Sequence, residues 1–181
     1  GYSHGTINQI KVTEAFVFGN AMVGGVVGMN SGTISEVGIE NPSNYWRING
    51  TSFVGGMVGQ HDTGIIKNSY AKVSVEGNQA SGGFVGIVNT GIIEKSLYVG
   101  EISRIQGNGG FVGVDVAGLY NGNFWDRGVA GNGPDIGNKG DVIGIKALGS
   151  QILQTATPYL AEGWSQSIWT KGGSYPFLIG E

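Results

Sequence analysis

Few residues in this 181-residue chain have types and spacings that permit chemistry. His61 and Asp62 are adjacent, which invites a metal-ligand or proton-transfer reading. A zinc site needs three or four ligands, and His4, the other histidine, has no such spacing to them. The pair therefore reads as a solvated turn, with His61 standing outward at a corner. Asp62 and Asp115 fall in turns two sequence repeats apart, which in stacked coils predicts a separation of about 10 Å. That is near the upper end of the carboxylate spacing in inverting glycoside hydrolases. Asn89 falls at the intervening position, and solvated turn residues are the simpler reading. Asp126, Asp135 and Asp141, with Asn132 and Asn138, make an oxygen-rich segment in which calcium is the one candidate ion. They lack an Asp-x-Asp-x-Asp-Gly run, so a hydrated loop is expected. Gly107-Asn108-Gly109-Gly110 lacks the Gly-Lys-Ser/Thr that a phosphate loop requires. No catalytic residue, cofactor or metal site is assigned, and the chain is expected not to be an enzyme. Tyr45, Trp46 and Arg47 form the candidate ligand-binding loop. An exposed aromatic pair there stacks on sugar rings, unless Trp46 folds back over the side of the protein.

The elements that position these residues follow from a phrase that occurs four times: two glycines, an apolar residue, a valine and a third glycine. Its glycines are Gly24, Gly25 and Gly28; Gly55, Gly56 and Gly59; Gly82, Gly83 and Gly86; and Gly109, Gly110 and Gly113. A further glycine follows each phrase, at Gly32, Gly64, Gly91 and Gly118. Gly5-Thr6-Ile7 matches Gly32-Thr33-Ile34, so the chain opens inside a repeat whose double-glycine half is missing, and upstream coils are expected. The spacings from Gly5 are 27, 32, 27 and 27 residues. One unit of about 27 residues thus carries an insertion of about five, around Asn41 to Arg47. Apolar residues align between units: Val27, Val58, Val85 and Val112 in one column, Ile34, Ile66 and Ile93 in another, Tyr70, Leu97 and Phe124 in a third. The first unit reads Glu36-Val37-Gly38-Ile39 at this last segment. Three short strands per unit predict an all-β fold, a parallel β-solenoid of four to five coils. Parallel crossovers favour the right hand. Coils lie about 4.8 Å apart, so a corner that needs positive φ, or is too narrow for a Cβ, is glycine in every coil.

Glycine numbers 36, against about 13 at average usage, yet 40% of the residues are hydrophobic and support a core. Ten basic residues without a cluster and a net charge of −3 supply no footprint for nucleic acid. No apolar run approaches the roughly 18 residues of a membrane span, so no membrane insertion is expected. The absence of cysteine excludes disulfides and thiolate metal sites. The chain divides into a repeat solenoid over 1–126, a Gly/Asn-rich loop over 127–143 and a C-terminal cap over 144–181. The cap carries a short helix from Ser150, with Ser150 as N-cap, and closing strands. It is read as covering the open edge of the last coil.

The glycine phrase followed by a polar turn, Gly and Ile resembles the GLUG motif of large bacterial surface and secreted proteins. Asn68-Ser69-Tyr70-Ala71-Lys72-Val73-Ser74-Val75 looks like that family's follow-on strand. Asn123-Phe124-Trp125-Asp126, Gly163-Trp164, Trp169 and Tyr175-Pro176-Phe177-Leu178 are similar to the segment that closes such arrays. The resemblance implies an extracellular, surface-attached structural or adhesive segment. Its partners would be other chains or domains of the same surface protein and a host-cell or glycan ligand. Two alternatives stand beside it: a filament subunit or homo-oligomer joined through strand edges, and a polysaccharide-degrading β-helix enzyme.

Overall fold

A computed structural model describes residues 1–41, 43, 47–103, 107–172 and 174–180. The chain is a parallel β-solenoid of about four turns. Successive coils are built from three faces. One face stacks Tyr2–Ser3, Val27–Asn30, Val58–His61, Val85–Val88 and Val112–Asp115 into a five-stranded parallel sheet. A second face is bent. Thr6–Thr13 and Thr33–Glu40 run along it as single strands, and later coils break there into Ile65–Lys67 and Tyr70–Lys72, Ile92–Glu94 and Leu97–Tyr98, and Leu119–Asn121 and Asn123–Asp126. The third face joins Val17–Phe18, Ala21–Gly24, Arg47–Gly55 and Ser74–Gln79.

The register confirms the columns expected from the sequence. Val27, Val58, Val85 and Val112 are direct neighbours and all buried. Ile34, Ile66 and Ile93 stack inside the bend. Phe84 and Phe111 lie parallel, with ring centroids 4.9 Å apart. Each such buried side chain contributes about 1.5–3 kcal/mol, and no coil achieves this burial alone. The first unit keeps its last strand segment: Gly38 pairs with Tyr70 and Ile39 with Ala71. The inserted residues are also located by register. Glu40 pairs with Lys72 and Arg47 with Ser74, so six residues stand where the next coil has Val73 alone.

The repeated glycines answer a lack of space. None of the twelve in the four phrases has a positive φ. A Cβ on Gly55 would lie 2.1 Å from the Val58 carbonyl oxygen and 2.7 Å from the Gly86 nitrogen of the next coil. The second glycine of each phrase also yields to the interior: a Cβ on Gly83 would lie 2.2 Å from the Tyr98 ring, and one on Gly110 would lie 2.5 Å from Trp125. Left-handed corners are carried largely by other residues. Gln9, Glu36, Asn68 and Lys95 have φ between 47° and 54°, one per coil, at the bend of the second face. Met22, Phe53 and Ala80 form a second such column, with φ of 54°, 53° and 49°. Each of these residues accepts a conformation that costs an L-residue roughly 1–2 kcal/mol, because the coils above and below fix the corner.

The C-terminal part does two things. Ile145–Leu148 adds a parallel strand to Asn123–Asp126, so it covers the edge of the last coil. The rest runs back along the flank of the bent face. Tyr70, Leu97 and Phe124 point out of the coils, and Leu153, Tyr159, Trp164, Trp169 and Leu178 bury them in a second core. The terminal antiparallel pair, Trp169–Lys171 and Pro176–Leu178, carries this cover back to the first coils, where Leu178 and Ile179 share a groove with Gln9, Ile10 and Glu36. The expected helix spans Ser150–Leu153, but Gly149 is its N-cap. The Ser150 hydroxyl donates to Asp126 instead. A further helix, Thr157–Ala161, carries the following proline, Pro158, in its first turn.

Candidate functional site

Of the polar residues that attracted attention in the sequence, His61, Asp115, Asp126 and Asp135 are buried, Asp62 and Asn89 are half-buried, and His4, Asn132, Asn138 and Asp141 are exposed. Asn30, His61, Val88 and Asp115 are stacked in one column at the end of the first face. His61 is fully buried, not outward and solvated. Burial does not alternate along this strand: Val58, Gly59 and His61 are all buried and Gln60 is half-buried, whereas the turn signal of Asp62 suggested solvent. Asn30 Nδ2 lies 3.2 Å from His61 Nδ1. That leaves the proton on Nε2, which has no hydrogen-bond partner among the described residues. Burial lowers the His61 pKa below its ordinary value; the Asn30 and Gly64 carbonyls and Asp62 pull weakly the other way. Gly91, at φ +102°, supplies the opposing wall: a Cβ there would stand 2.6 Å from Nε2. The imidazole therefore sits in a closed space.

Asp62 and Asp115 do not converge. They belong to neighbouring columns. Asp62 Oδ1 accepts from Gln60 Nε2 at 2.6 Å and from Asn89 Nδ2 at 2.7 Å. Asp115 is buried, contrary to the expected solvated turn. It accepts from the Gly118 amide at 2.7 Å and pairs with Lys139 at 2.5 Å. Lys139 comes from the 127–143 segment, a partner that no local sequence signal announced.

That segment is ordered by its aspartates rather than hydrated by them. Asp126 is fully buried and caps the short helix Arg127–Ala130 through the amides of Gly128 and Val129. The same carboxylate accepts from Ser150 Oγ at 2.9 Å and from the Tyr175 hydroxyl at 2.5 Å. Asp135, also buried, accepts from Trp125 Nε1 at 2.7 Å and from the Val142 amide at 3.2 Å. Its burial raises its pKa, with Asp141 adding to the effect. Asp141 in turn accepts from the Asp135 amide. Asn138 bonds the backbone of Asp115 on both sides. Among the described residues, no three His, Cys, Asp or Glu side chains form a metal-binding group. The calcium expectation thus gains no support from the oxygen-rich run, whose carboxylates already have donors from the protein.

Of the candidate binding loop, Tyr45 and Trp46 lie outside the described residues. Arg47 opens its strand and pairs with Glu76 at 2.8 Å, and Asn49 Nδ2 donates to the same carboxylate at 3.2 Å. Both partners are half-exposed, so the pair contributes at most about 1 kcal/mol. Compared with protein-family models, with curated proteins and with solved structures, the chain matches none.

Proposed function

We propose that the chain is a structural and adhesive segment of a bacterial cell-surface or secreted protein, a stiff rod that presents corner loops for binding and performs no catalysis. One observation carries this reading. Between Glu40 and Arg47 the chain takes in five extra residues, yet the strands resume in register at once, Arg47 against Ser74 and Ile48 against Val75. A scaffold that absorbs an insertion at a corner without disturbing its columns is suited to displaying loops. Insertions cost little when a rigid framework fixes both loop ends. The motif resemblance to GLUG repeats agrees with an extracellular setting, with other segments of the same surface protein as neighbours. The test is a glycan array and a host-cell binding assay on the chain, with Trp46→Ala beside it. Binding that falls in the variant, at unchanged thermal stability, supports the reading; flat results for both proteins sink it.

A further inference from the structure

Four Asn-Gly pairs occur in the chain: Asn49-Gly50, Asn108-Gly109, Asn121-Gly122 and Asn132-Gly133. Such a pair has a chemistry of its own. The glycine nitrogen can attack the asparagine Cγ, and with no Cβ on the glycine nothing crowds the approach. Ring closure needs rotation about the asparagine Cα–C bond. That rotation swings the asparagine carbonyl and the glycine N–H together, because they share one planar peptide unit. Hydrogen bonds to those groups therefore oppose it. Three of the pairs are held in this way. Asn49 lies within the strand Arg47–Gly55, paired with Phe18 on one side and Glu76 on the other, and its Nδ2 donates to Glu76 at 3.2 Å. The Gly109 amide donates to the Ser81 carbonyl at 3.0 Å, and Asn108 Oδ1 accepts from the Ser81 amide at 2.9 Å. The Asn121 carbonyl accepts from the Lys95 amide at 3.0 Å, and the carbonyl of buried Gly122 accepts from Trp164 Nε1 at 2.8 Å.

Asn132-Gly133 is the exception. Both residues are exposed, and a Cβ built on Gly133 would meet nothing within 4 Å. Among the described residues, no hydrogen bond is made by the backbone of either or by the Asn132 side chain. The anchors lie just outside the pair: the Gly131 amide donates to the Arg127 carbonyl at 2.9 Å, and the Pro134 carbonyl accepts from the Gly110 amide at 2.8 Å. We infer that Asn132 is a site of spontaneous covalent modification, converting to aspartate and isoaspartate in the folded protein. The Gly133 nitrogen gives up its proton to hydroxide and bonds to the Asn132 Cγ. The Cγ–Nδ2 bond breaks, and Nδ2 leaves as ammonia after taking a proton from water. A second water opens the five-membered imide. Attack at Cγ gives aspartate, and attack at the backbone carbonyl carbon gives isoaspartate. The net reaction consumes one water and releases one ammonia. The product adds one negative charge to the −3 of the chain, in the segment that follows the last coil. Because the reacting pair bonds to nothing else, both products keep the fold.

The test ages the intact chain at mildly alkaline pH, with and without urea, and maps it by mass spectrometry. Trypsin releases Asn132 within residues 128–139, apart from the other three pairs. In the folded chain Asn132 should convert at least roughly tenfold faster than any of those three, each of which must first lose hydrogen bonds or leave its strand. In urea the four should react at comparable rates, because the reacting pair is the same in each. Gly133→Ala, whose methyl group finds open space, should keep the fold and slow Asn132 while leaving the other three unchanged. The folded-chain rate should rise with pH, because the glycine nitrogen attacks only after losing its proton. Conversion of Asn132 no faster than that of the other pairs in the folded chain overturns the proposal. So does a lead that persists undiminished in urea, since the fold would then not be what selects it.

Discussion

At the scale of single residues, the informative ones are those whose environment contradicts their chemistry. His61 is an ionisable group placed where burial disfavours its charged form. Its pKa in the folded chain lies below the value of about 6.5 that it has when unfolded. The unfolded chain thus binds the extra proton first. The stability that neutral His61 contributes is fully present above pH 6.5 and is lost as pH falls from there toward the folded-state value. The slope cannot exceed about 1.4 kcal/mol per pH unit for one proton. His61→Val, which places in this column the residue type already present at Val88, should flatten that part of the profile while lowering stability at pH 7.5. Urea denaturation at pH 7.5 and 5.5 measures both effects, and an unchanged pH slope in the variant would assign the dependence elsewhere. Asp126 makes the complementary case. Its four donors tie the last coil to the C-terminal cover, so Asp126→Ala should cost about 3 kcal/mol or more, as when a buried charged network loses its centre. Tyr175→Phe removes a single donor from the same carboxylate and should cost about 1.5–3 kcal/mol. A smaller loss for Asp126→Ala than for Tyr175→Phe would show that the carboxylate is not the hub.

At the scale of the strand and the corner, the coils obey two separate rules, and only one was legible in the sequence. The repeat length, the valine and isoleucine columns and the site of the insertion could be read directly. In a stacked solenoid every coil repeats the same environment, so the pattern is stated four times. The glycine phrases could also be located, and close approach is their cause. The left-handed corners were not legible. Gln9, Glu36, Asn68 and Lys95 share no residue type, because the corner is imposed by the coils on either side and not by local preference. His61 and Asp115 were misplaced for a related reason: turn-forming neighbours suggested solvent, while the stacked coils enclose both side chains. The cover over Tyr70, Leu97 and Phe124 was invisible too, since an outward aromatic column looks like an inward one until its partner segment is placed. These rules predict opposite results for glycine and alanine. Gly55→Ala should destabilise by at least about 3 kcal/mol, because backbone on both sides blocks the new Cβ. Gly133→Ala, with nothing near the new methyl group, should be neutral or up to about 1 kcal/mol stabilising. Ala80→Gly, at φ 49°, should stabilise by up to about 1 kcal/mol as the corner strain is relieved. Thermal melts of the three variants give the order, and a stable Gly55→Ala would mean the coils can part without cost.

At the scale of the whole molecule, the question is what makes a stack of coils unfold as one body. In a solenoid each coil touches only its neighbours, so coupling decays along the axis and the ends can melt alone. Here a second connection runs lengthwise. Trp164 and Tyr159 pack on Phe124 in the last coil, with ring centroids 5.8 Å and 5.1 Å away. Trp169 reaches Tyr70 two coils earlier, at 6.3 Å, and Leu178 and Ile179 arrive beside Gln9 and Glu36. Lys95 donates to the Glu162 carbonyl, and Lys146 pairs with the Glu162 carboxylate, which fixes the strap midway. The strap therefore links coils that are not neighbours, and separating any of them exposes part of one shared aromatic core. Ending the chain after Gly149 should remove this link while leaving the strand Ile145–Leu148 in place. The truncated protein should expose Tyr70, Leu97 and Phe124, bind a hydrophobic dye and unfold over a wider range of urea. With Trp46→Phe added so that Trp125, at the C-terminal end of the stack, is the one tryptophan left, its fluorescence should then no longer coincide with the far-ultraviolet signal of the whole stack. Coincident transitions with the steepness expected for its exposed surface would show that the coils couple through their ladders alone, and that the strap only shields a flank.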